Sequence, residues 1–183
     1  GMPVGNHASG LPTIQVIFTI LHAGGKFGQG GYKTAGGLHG VGASVVNALS
    51  KWLEVSVIRE GYEYTMQFKD GGQPASGLIK KKSTSRIKSG TQVHFLPDPD
   101  IFHQATIHYE TIAERLRESA FLLKGLTIQL KDQAKGLENT FYYEKGLHDF
   151  IQYLNEDKET MGQVFSFSSV QEDFEVDFAM QYN

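Results

Sequence analysis

Glycines and lysines are concentrated between residues 22 and 50 in a pattern that suits the binding of phosphate groups. Nine of the chain's 21 glycines lie there, with Lys26 and Lys33 among them. The glycine-rich part runs into residues 41–50, which predict a helix. Backbone N–H groups and the positive end of the dipole at a helix N-terminus attract anions, and the lysines could neutralise anionic oxygens. We therefore expect the functional centre in this stretch.

Other glycine motifs do not fit this stretch. Gly36-Gly-Leu-His-Gly-Val-Gly42 is not followed by the Gly-Lys-Ser/Thr of a Walker A loop. A helix is predicted before it and strands after it, which excludes the βαβ unit of dinucleotide-binding folds. A glycine-rich surface loop without a ligand remains an alternative. His22 and His39 have no further ligand at metal-binding spacing, so they predict no metal site.

A second basic feature lies outside this stretch, where the run Lys80-Lys81-Lys82 is followed by Arg86 and Lys88. It could contact a DNA backbone, but it falls between two predicted strands and has no aromatic residues suited to stacking on bases. A solvated hairpin end is the favoured interpretation.

The elements that would position these residues follow from the apolar pattern. Residues 13–22 and 41–50 predict helices, and residues 23–37 between them predict a loop long enough to act as a lid. The apolar face predicted for the second helix consists of Val41, Val45, Ala48 and Leu49.

The rest of the chain predicts an antiparallel arrangement of strands with further helices. Short turns with Gly or Asp-Gly join four β-rich runs into a predicted meander, at residues 53–59, 62–68, 77–82 and 91–96. Later helices are predicted at residues 109–123 and 146–154, and later strands at residues 127–130, 140–143, 163–167 and 174–180. Roughly eight strands and four helices in one domain of ordinary size indicate an α+β fold, a two-layer α/β sandwich.

Composition narrows the class of protein. The chain has 17 basic and 20 acidic residues, so its net charge of −3 gives no overall attraction to nucleic acid. The absence of cysteine excludes disulfides and thiolate metal sites. Apolar runs are too short to span a bilayer, and no segment resembles a signal peptide. A soluble cytoplasmic protein is expected.

The glycine-rich stretch also resembles a known family in its non-glycine positions. Residues 16–27, Tyr32-Lys33 and residues 36–50 resemble the ATPase domain of bacterial type IIA topoisomerase B subunits, the DNA gyrase and topoisomerase IV B subunits. The likeness continues through residues 89–95, 115–122, 153–156 and 181–183 and covers essentially the whole chain. Met2 and the lid sequence at residues 28–34 favour the topoisomerase IV branch over the gyrase branch.

The resemblance implies a Bergerat ATPase fold, shared with heat-shock protein 90, MutL and histidine kinases, with a mixed, mainly antiparallel eight-stranded sheet under a layer of helices. ATP and Mg²⁺ are the implied cofactors, and residues 23–37 correspond to the ATP lid. The implied nucleotide contacts are Gly25, Lys26, Tyr32, Lys33, Gly36, Gly37, Leu38, His39, Gly40, Val41, Gly42 and Ala43. In the adenine and inhibitor pocket, Met2, Pro3 and Ile17 correspond to walls, Thr91 to the residue supporting an adenine-reading aspartate, and Arg59 to a position at the mouth that aminocoumarins contact.

The resemblance also implies functional residues outside residues 1–183. In the family, an Asp-Gly-Arg sequence precedes Gly1, the glutamate general base and the Mg²⁺-binding asparagine lie further upstream, and a lysine of the transducer domain follows. We therefore expect an N-terminal ATPase-domain fragment that contains no catalytic residue or metal ligand and is inactive in hydrolysis when isolated.

The partners implied are DNA, through the full enzyme, the topoisomerase A subunit, a second B subunit on ATP binding, and small-molecule inhibitors of the ATP site, with no membrane. ATP-driven closure of the dimer would be coupled to DNA strand passage. The alternatives are a DNA gyrase B subunit, another ATPase of the same fold such as a MutL-like or chaperone-like protein, and a binding module without turnover.

Overall fold

The computed structural model of the chain describes residues 1–23, 39–103, 106–172 and 174–183. These residues form two compact units, Gly1–Ala105 and Thr106–Asn183. The first unit contains α1 (Thr13–Thr19), α2 (Gly42–Ala48), β1 (Ser50–Arg59), β2 (Tyr62–Lys69), β3 (Gln73–Pro74), β4 (Ile79–Lys82) and β5 (Gly90–Pro97). The second contains α3 (Tyr109–Leu122), β6 (Ile128–Asp132), β7 (Leu137–Phe141), α4 (Leu147–Leu154), β8 (Met161–Gln171) and β9 (Phe174–Tyr182).

The sheet of the first unit is antiparallel, with strand order β3-β2-β1-β5 and with β4 also paired to β2. The predicted meander is correct for the β1–β2 hairpin, whose turn at Glu60 and Gly61 has positive φ at both residues. It is wrong for β5, which pairs with β1 rather than with β4. The β1–β2 hairpin leaves the other edge of β1 unpaired, and residues 83–89 connect β4 to β5, which pairs with that edge.

Alternation along β1 builds the core of the first unit. Leu53, Val55 and Val57 are completely buried, and they pack with α1 residues Ile14 and Phe18. Successive side chains of a strand point to opposite faces, so this one face of β1 is apolar as the sequence predicts. The core therefore lies between the sheet and α1.

The apolar face predicted for α2 is wrong. The buried residues of α2 are Ser44 and Asn47, whereas Val45 is 40% exposed. Both polar side chains reach backbone carbonyls: the Ser44 hydroxyl donates to the Val41 carbonyl oxygen at 3.0 Å, and the Asn47 amide donates to the Phe18 carbonyl oxygen at 2.9 Å. The bond of Ser44 is local to the start of α2, whereas the bond of Asn47 crosses to α1 and orients a helix that is too short to be oriented by its apolar residues.

The second unit consists of α3, α4 and the antiparallel pairs β6–β7 and β8–β9. Phe121 is buried and stacks on Tyr143 with ring centroids 3.7 Å apart. The connection between the strands predicted at residues 127–130 and 140–143 is shorter than predicted, because the Asp132 carboxylate accepts hydrogen bonds from the N–H groups of Ala134 and Lys135 and closes a tight turn. The strand predicted at residues 140–143 accordingly lies earlier, at Leu137–Phe141.

The described residues thus form four helices and nine strands, in sheets of five, two and two antiparallel strands. This agrees with the predicted α+β class. The single mixed eight-stranded sheet implied by the resemblance is not formed by the described strands, because β6 to β9 pair as hairpins with their neighbours in sequence. No helix in the described ranges is long and apolar enough to cross a membrane.

Candidate functional site

Five of the predicted phosphate-contacting residues lie in the turn before α2 and in its first residues: His39, Gly40, Val41, Gly42 and Ala43. Gly40 has φ of 61°, a left-handed conformation that favours glycine. No side chain caps the start of α2 at Val41. The other predicted contacts lie outside the described residues: Gly25, Lys26, Tyr32, Lys33, Gly36, Gly37 and Leu38.

Asn47 fixes α2 against α1. Its side chain is 1% exposed and its Nδ2 atom donates to the Phe18 carbonyl oxygen, while its Oδ1 atom has no hydrogen-bond partner among the described residues. The turn between β2 and β3 closes over this amide, since a Cβ atom on Gly72 would lie 3.1 Å from Nδ2. The amide therefore holds α2 in place between α1 and the turn. Asn47 was not among the residues predicted from the sequence, although a polar residue inside the apolar run of residues 45–49 is a signal.

A hydrogen bond joins two residues that flank the predicted lid. Nδ1 of His22 lies 2.9 Å from the carbonyl oxygen of His39. A carbonyl oxygen can only accept a hydrogen bond, so Nδ1 carries the proton. His22 adopts φ of 60°, which is uncommon for a residue with a side chain. His22 had no predicted role, because the spacing of residues in the sequence does not show that residues 22 and 39 come together.

Two of the predicted pocket residues are in direct contact. The N–H of Met2 donates to Oγ1 of Thr91 at 3.0 Å, and Thr91 lies opposite Val57 in the β1–β5 pairing. This hydrogen bond attaches the start of the chain to the edge strand of the sheet. It brings together residues that the resemblance assigned to one pocket.

The same core cluster supports residues from both halves of the predicted site. Met2, Ile17 and Ala43 are partly buried and pack against the cluster formed by α1, β1 and β2. Met2 and Ile17 are predicted adenine-pocket walls, whereas Ala43 is a predicted phosphate contact at the start of α2. The fold therefore places the two halves on a common support.

The remaining predicted pocket residues lie at the surface. Pro3 is exposed. Arg59 ends β1, and its Nε atom lies 3.3 Å from the carboxylate of Glu60. A cavity of about 390 Å³ lined by Trp52, Glu54 and neighbouring residues of the sheet contains none of the predicted site residues.

The described part of the chain does not gather ligands for a metal ion. Three or more carboxylate and histidine side chains do not cluster anywhere within it. Mg²⁺ needs several oxygen ligands in near-octahedral geometry. The described residues therefore do not fit an Mg²⁺ site, and no step of the chemistry can be assigned to one here.

The chain is similar over its full length to parts of longer bacterial proteins. It is 59% identical to the B subunit of DNA topoisomerase 4 of Enterococcus faecalis, 56% identical to that of Bacillus subtilis and 55% identical to that of Streptococcus pneumoniae. In each case the match covers 100% of this chain, but only 27 to 28% of the relative. The chain thus spans little more than a quarter of the curated relatives it matches. No protein-family model matches it.

A solved structure confirms the fold class. The chain is similar to the 43K ATPase domain of Thermus thermophilus gyrase B, crystallised in complex with an aminocoumarin, with a TM-score of 0.81 and 34% sequence identity. This similarity covers 98% of the chain and 45% of the solved one. The α+β ATPase fold implied by the sequence is therefore the fold of this chain.

Proposed function

Since the chain belongs to the family of bacterial type IIA topoisomerase B subunits, we propose that it is an ATP-binding part of such a protein, from a topoisomerase IV. Residues 1–183 would form part of the N-terminal ATPase domain. The observation that carries the proposal is the packing of Met2, Ile17 and Ala43 against one core cluster, which supports the adenine and phosphate halves of a nucleotide site together.

The described residues have distinct parts in nucleotide binding. Backbone N–H groups of the turn at Gly40 and of the first residues of α2 bind phosphate oxygens, and glycine allows the close approach of the backbone. Met2 and Ile17 contact the adenine, and Thr91 holds Met2 through the 3.0 Å hydrogen bond. By resemblance, Lys26 and Lys33, which lie outside the described residues, neutralise the phosphates. Bound Mg²⁺ would neutralise further phosphate charge, with ligands outside the described residues.

At the level of the whole protein, we propose that ATP binding closes two B subunits on each other and that hydrolysis reopens them. The general base that activates water lies, by resemblance, outside this chain. Closure is coupled to the passage of one DNA duplex through another, together with the A subunit. A topoisomerase IV would decatenate and relax DNA. A gyrase B subunit, which would supercoil DNA negatively, is the second candidate, favoured by the structural similarity to a gyrase B ATPase domain.

Calorimetry with a non-hydrolysable ATP analogue tests the nucleotide site without requiring the general base. The unsubstituted chain is expected to bind the analogue. In Gly40→Val, the branched side chain should obstruct the phosphates and weaken binding by at least about 100-fold. Gly136→Val is the matched control, because Gly136 has φ of 65°, close to the 61° of Gly40, and lies in the turn between β6 and β7.

The two variants separate the effect of backbone strain on stability from the effect of a side chain that obstructs the phosphates. Each should lose about 1–2 kcal/mol of unfolding free energy from the left-handed backbone, but Gly136→Val should keep the affinity of the unsubstituted chain. Equal affinity in Gly40→Val and the unsubstituted chain would show that the phosphates bind elsewhere. A folded chain that fails to bind the analogue at millimolar concentration would overturn the proposed function. Decatenation and supercoiling assays of the whole protein with its A subunit distinguish topoisomerase IV from gyrase.

A further inference from the structure

The charge of the chain is unevenly distributed. Residues 71–97 contain five basic residues and no acidic one. The chain as a whole carries −3, so all other residues together carry −8. The basic residues lie in a short segment that we call the basic segment, residues 80–88: Lys80, Lys81, Lys82, Arg86 and Lys88.

The first three lysines form most of β4, and every residue of that strand is exposed. Lys80 and Lys82 lie on one face and Lys81 on the other, because side chains alternate along a strand. The ammonium group of Lys80 lies 4.1 Å from the ring centroid of Tyr62 and 5.5 Å from that of Tyr64. These cation–π contacts restrict the Lys80 side chain without cancelling its charge.

The positive charges of the basic segment are not neutralised by acidic side chains within the described residues. Among these, no carboxylate lies within 4.0 Å of any of the five basic groups, whereas Lys51, Lys124 and Lys131 each have an acidic partner. Glu63 lies opposite Lys81 in the β2–β4 pairing without forming an ion pair with it. Five cations without an ion-pair partner, on one exposed strand and the connection after it, therefore form a local positive surface on a chain of negative net charge.

Protection of a sheet edge against aggregation is the simpler explanation for lysines on an edge strand. It does not account for this distribution. β5 is the terminal strand on the other side of the same sheet and carries exposed Val93 and Phe95, but it has no lysine. Moreover, Arg86 and Lys88 extend the positive charge beyond β4 into the connection to β5. Protection of a sheet edge therefore does not explain the positive charge of the basic segment.

We propose that the basic segment binds the phosphate backbone of duplex DNA. Repeated phosphates are the natural partner of several adjacent cations, and each neutralised phosphate releases a counterion. The basic segment lacks the features that would favour single-stranded nucleic acid or an anionic lipid surface as its partner. The Lys80 ammonium occupies one face of the Tyr62 ring, and that face is not free to stack on unpaired bases. The exposed apolar side chains near the cations, Ile79 and Ile87, are separate residues and not an apolar tract that could enter a lipid surface. The surface uses none of the proposed nucleotide contacts, and the choice of duplex DNA rests on the proposed function.

Fluorescence anisotropy of a labelled random-sequence duplex, measured from low to moderate salt with the full chain, tests this proposal. The variant K80Q/K81Q/K82Q removes three charges from β4. Its logarithmic salt slope should be shallower by about 2.7, at roughly 0.9 for each phosphate that is no longer neutralised, and its affinity at low salt should fall at least about 10-fold. A second variant, R86Q/K88Q, lies outside the strands and should lower the slope by about 1.8 without disturbing β4.

The matched control is K135Q/K145Q/K158Q, which makes the same change in net charge at three exposed lysines of the second unit. It should bind DNA as the unsubstituted chain does. Equal weakening in the control and the β4 variant would overturn the proposal, since only net charge would then matter. Failure of the unsubstituted chain to bind the duplex, or tighter binding to single strands or to phosphatidylserine vesicles, would also overturn it.

Binding of the ATP analogue, measured on the same variants, separates this proposal from the proposed function. Affinity for the analogue should be unchanged in all of them. A chain that binds the duplex through the basic segment but does not bind the analogue would refute the nucleotide site and support the DNA surface. A chain that binds the analogue but not the duplex would support the nucleotide site and refute the DNA surface.

Discussion

The buried amide of Asn47 offers a direct test of how α2 is held against α1. Its Nδ2 atom donates to the Phe18 carbonyl oxygen at 2.9 Å, and its side chain is 1% exposed. The substitution Asn47→Asp keeps the size and shape of the side chain. It replaces the donor by a carboxylate oxygen, which faces the carbonyl oxygen and can donate only when it is protonated.

The penalty in unfolding free energy should depend on pH. An aspartate in the unfolded chain has a pKa of about 3.9, and burial against a carbonyl oxygen is expected to raise the folded pKa by about 3 units. Because the folded pKa is the higher one, the penalty is absent at pH values below the unfolded pKa. It then grows until the pH exceeds the folded pKa. At about 1.4 kcal/mol per unit, this gives a loss of roughly 1.5 kcal/mol at pH 5 and roughly 4 kcal/mol at pH 8.

Urea unfolding of the unsubstituted and Asn47→Asp chains at pH 5 and pH 8 measures this difference. Trp52, the single tryptophan, lies in β1 and reports on the first unit by its fluorescence. Asn6→Asp is the matched control, because it introduces the same charge at an exposed side chain and should change the unfolding free energy by less than about 0.5 kcal/mol. A penalty that is the same at both pH values, or as small as that of the control, would refute the proposed role of Asn47 in positioning α2.

Two further predictions concern hydrogen bonds at the lid ends and in the second unit. His22→Phe removes the donor to the His39 carbonyl oxygen and should weaken binding of the ATP analogue about 3- to 10-fold, the value of one net hydrogen bond. His22→Asn tolerates positive φ and can still donate, so it should restore the affinity for the analogue. Calorimetry on both variants checks this, and equal affinities would contradict it. Hydrogen bonds from Lys124, at 2.8 Å, and from a serine hydroxyl hold the pKa of Asp177 below its ordinary value. These hydrogen bonds therefore stabilise the folded chain at pH values above the ordinary pKa of aspartate, and the stabilisation is lost as pH falls through the lowered pKa of Asp177. The difference in unfolding free energy between the unsubstituted chain and Asp177→Asn should shrink on acidification. A difference that stays constant with pH would disprove this prediction.

The regular elements were predictable wherever local pattern and tertiary packing agree. Leu53, Val55 and Val57 alternate in sequence and share a buried face, because the strand places every second side chain on the same side. The pairing of β5 with β1 was not predictable in this way. It depends on which strand edge remains open after the β1–β2 hairpin has formed, which no local pattern records.

The residues of the candidate site were predicted in a different way, and their roles in binding stay predictions. The resemblance assigned Met2 and Thr91 to one pocket, and they are joined by a hydrogen bond across 89 residues of sequence. Residue spacing alone could not have shown this contact, nor the one between His22 and His39, since both depend on the fold. The glycine-rich composition indicated phosphate binding but did not identify what positions α2.

The wrong prediction for α2 concerns the helix at which we propose that phosphates bind. Along β1 the apolar residues are inside, whereas α2 turns Ser44 and Asn47 inward and leaves Val45 and Val46 at 40% and 38% exposure. If apolar residues alone oriented α2, its rotation and position would be set only by the packing of those residues. A helix oriented by a buried amide is fixed in both rotation and position, since the hydrogen bond to Phe18 tolerates little change in distance or angle. Departures from local pattern are expected at functional sites, where geometry has to be held accurately. Such accuracy is what a seat for phosphates at the start of α2 requires, because backbone N–H groups cannot move separately to meet a ligand.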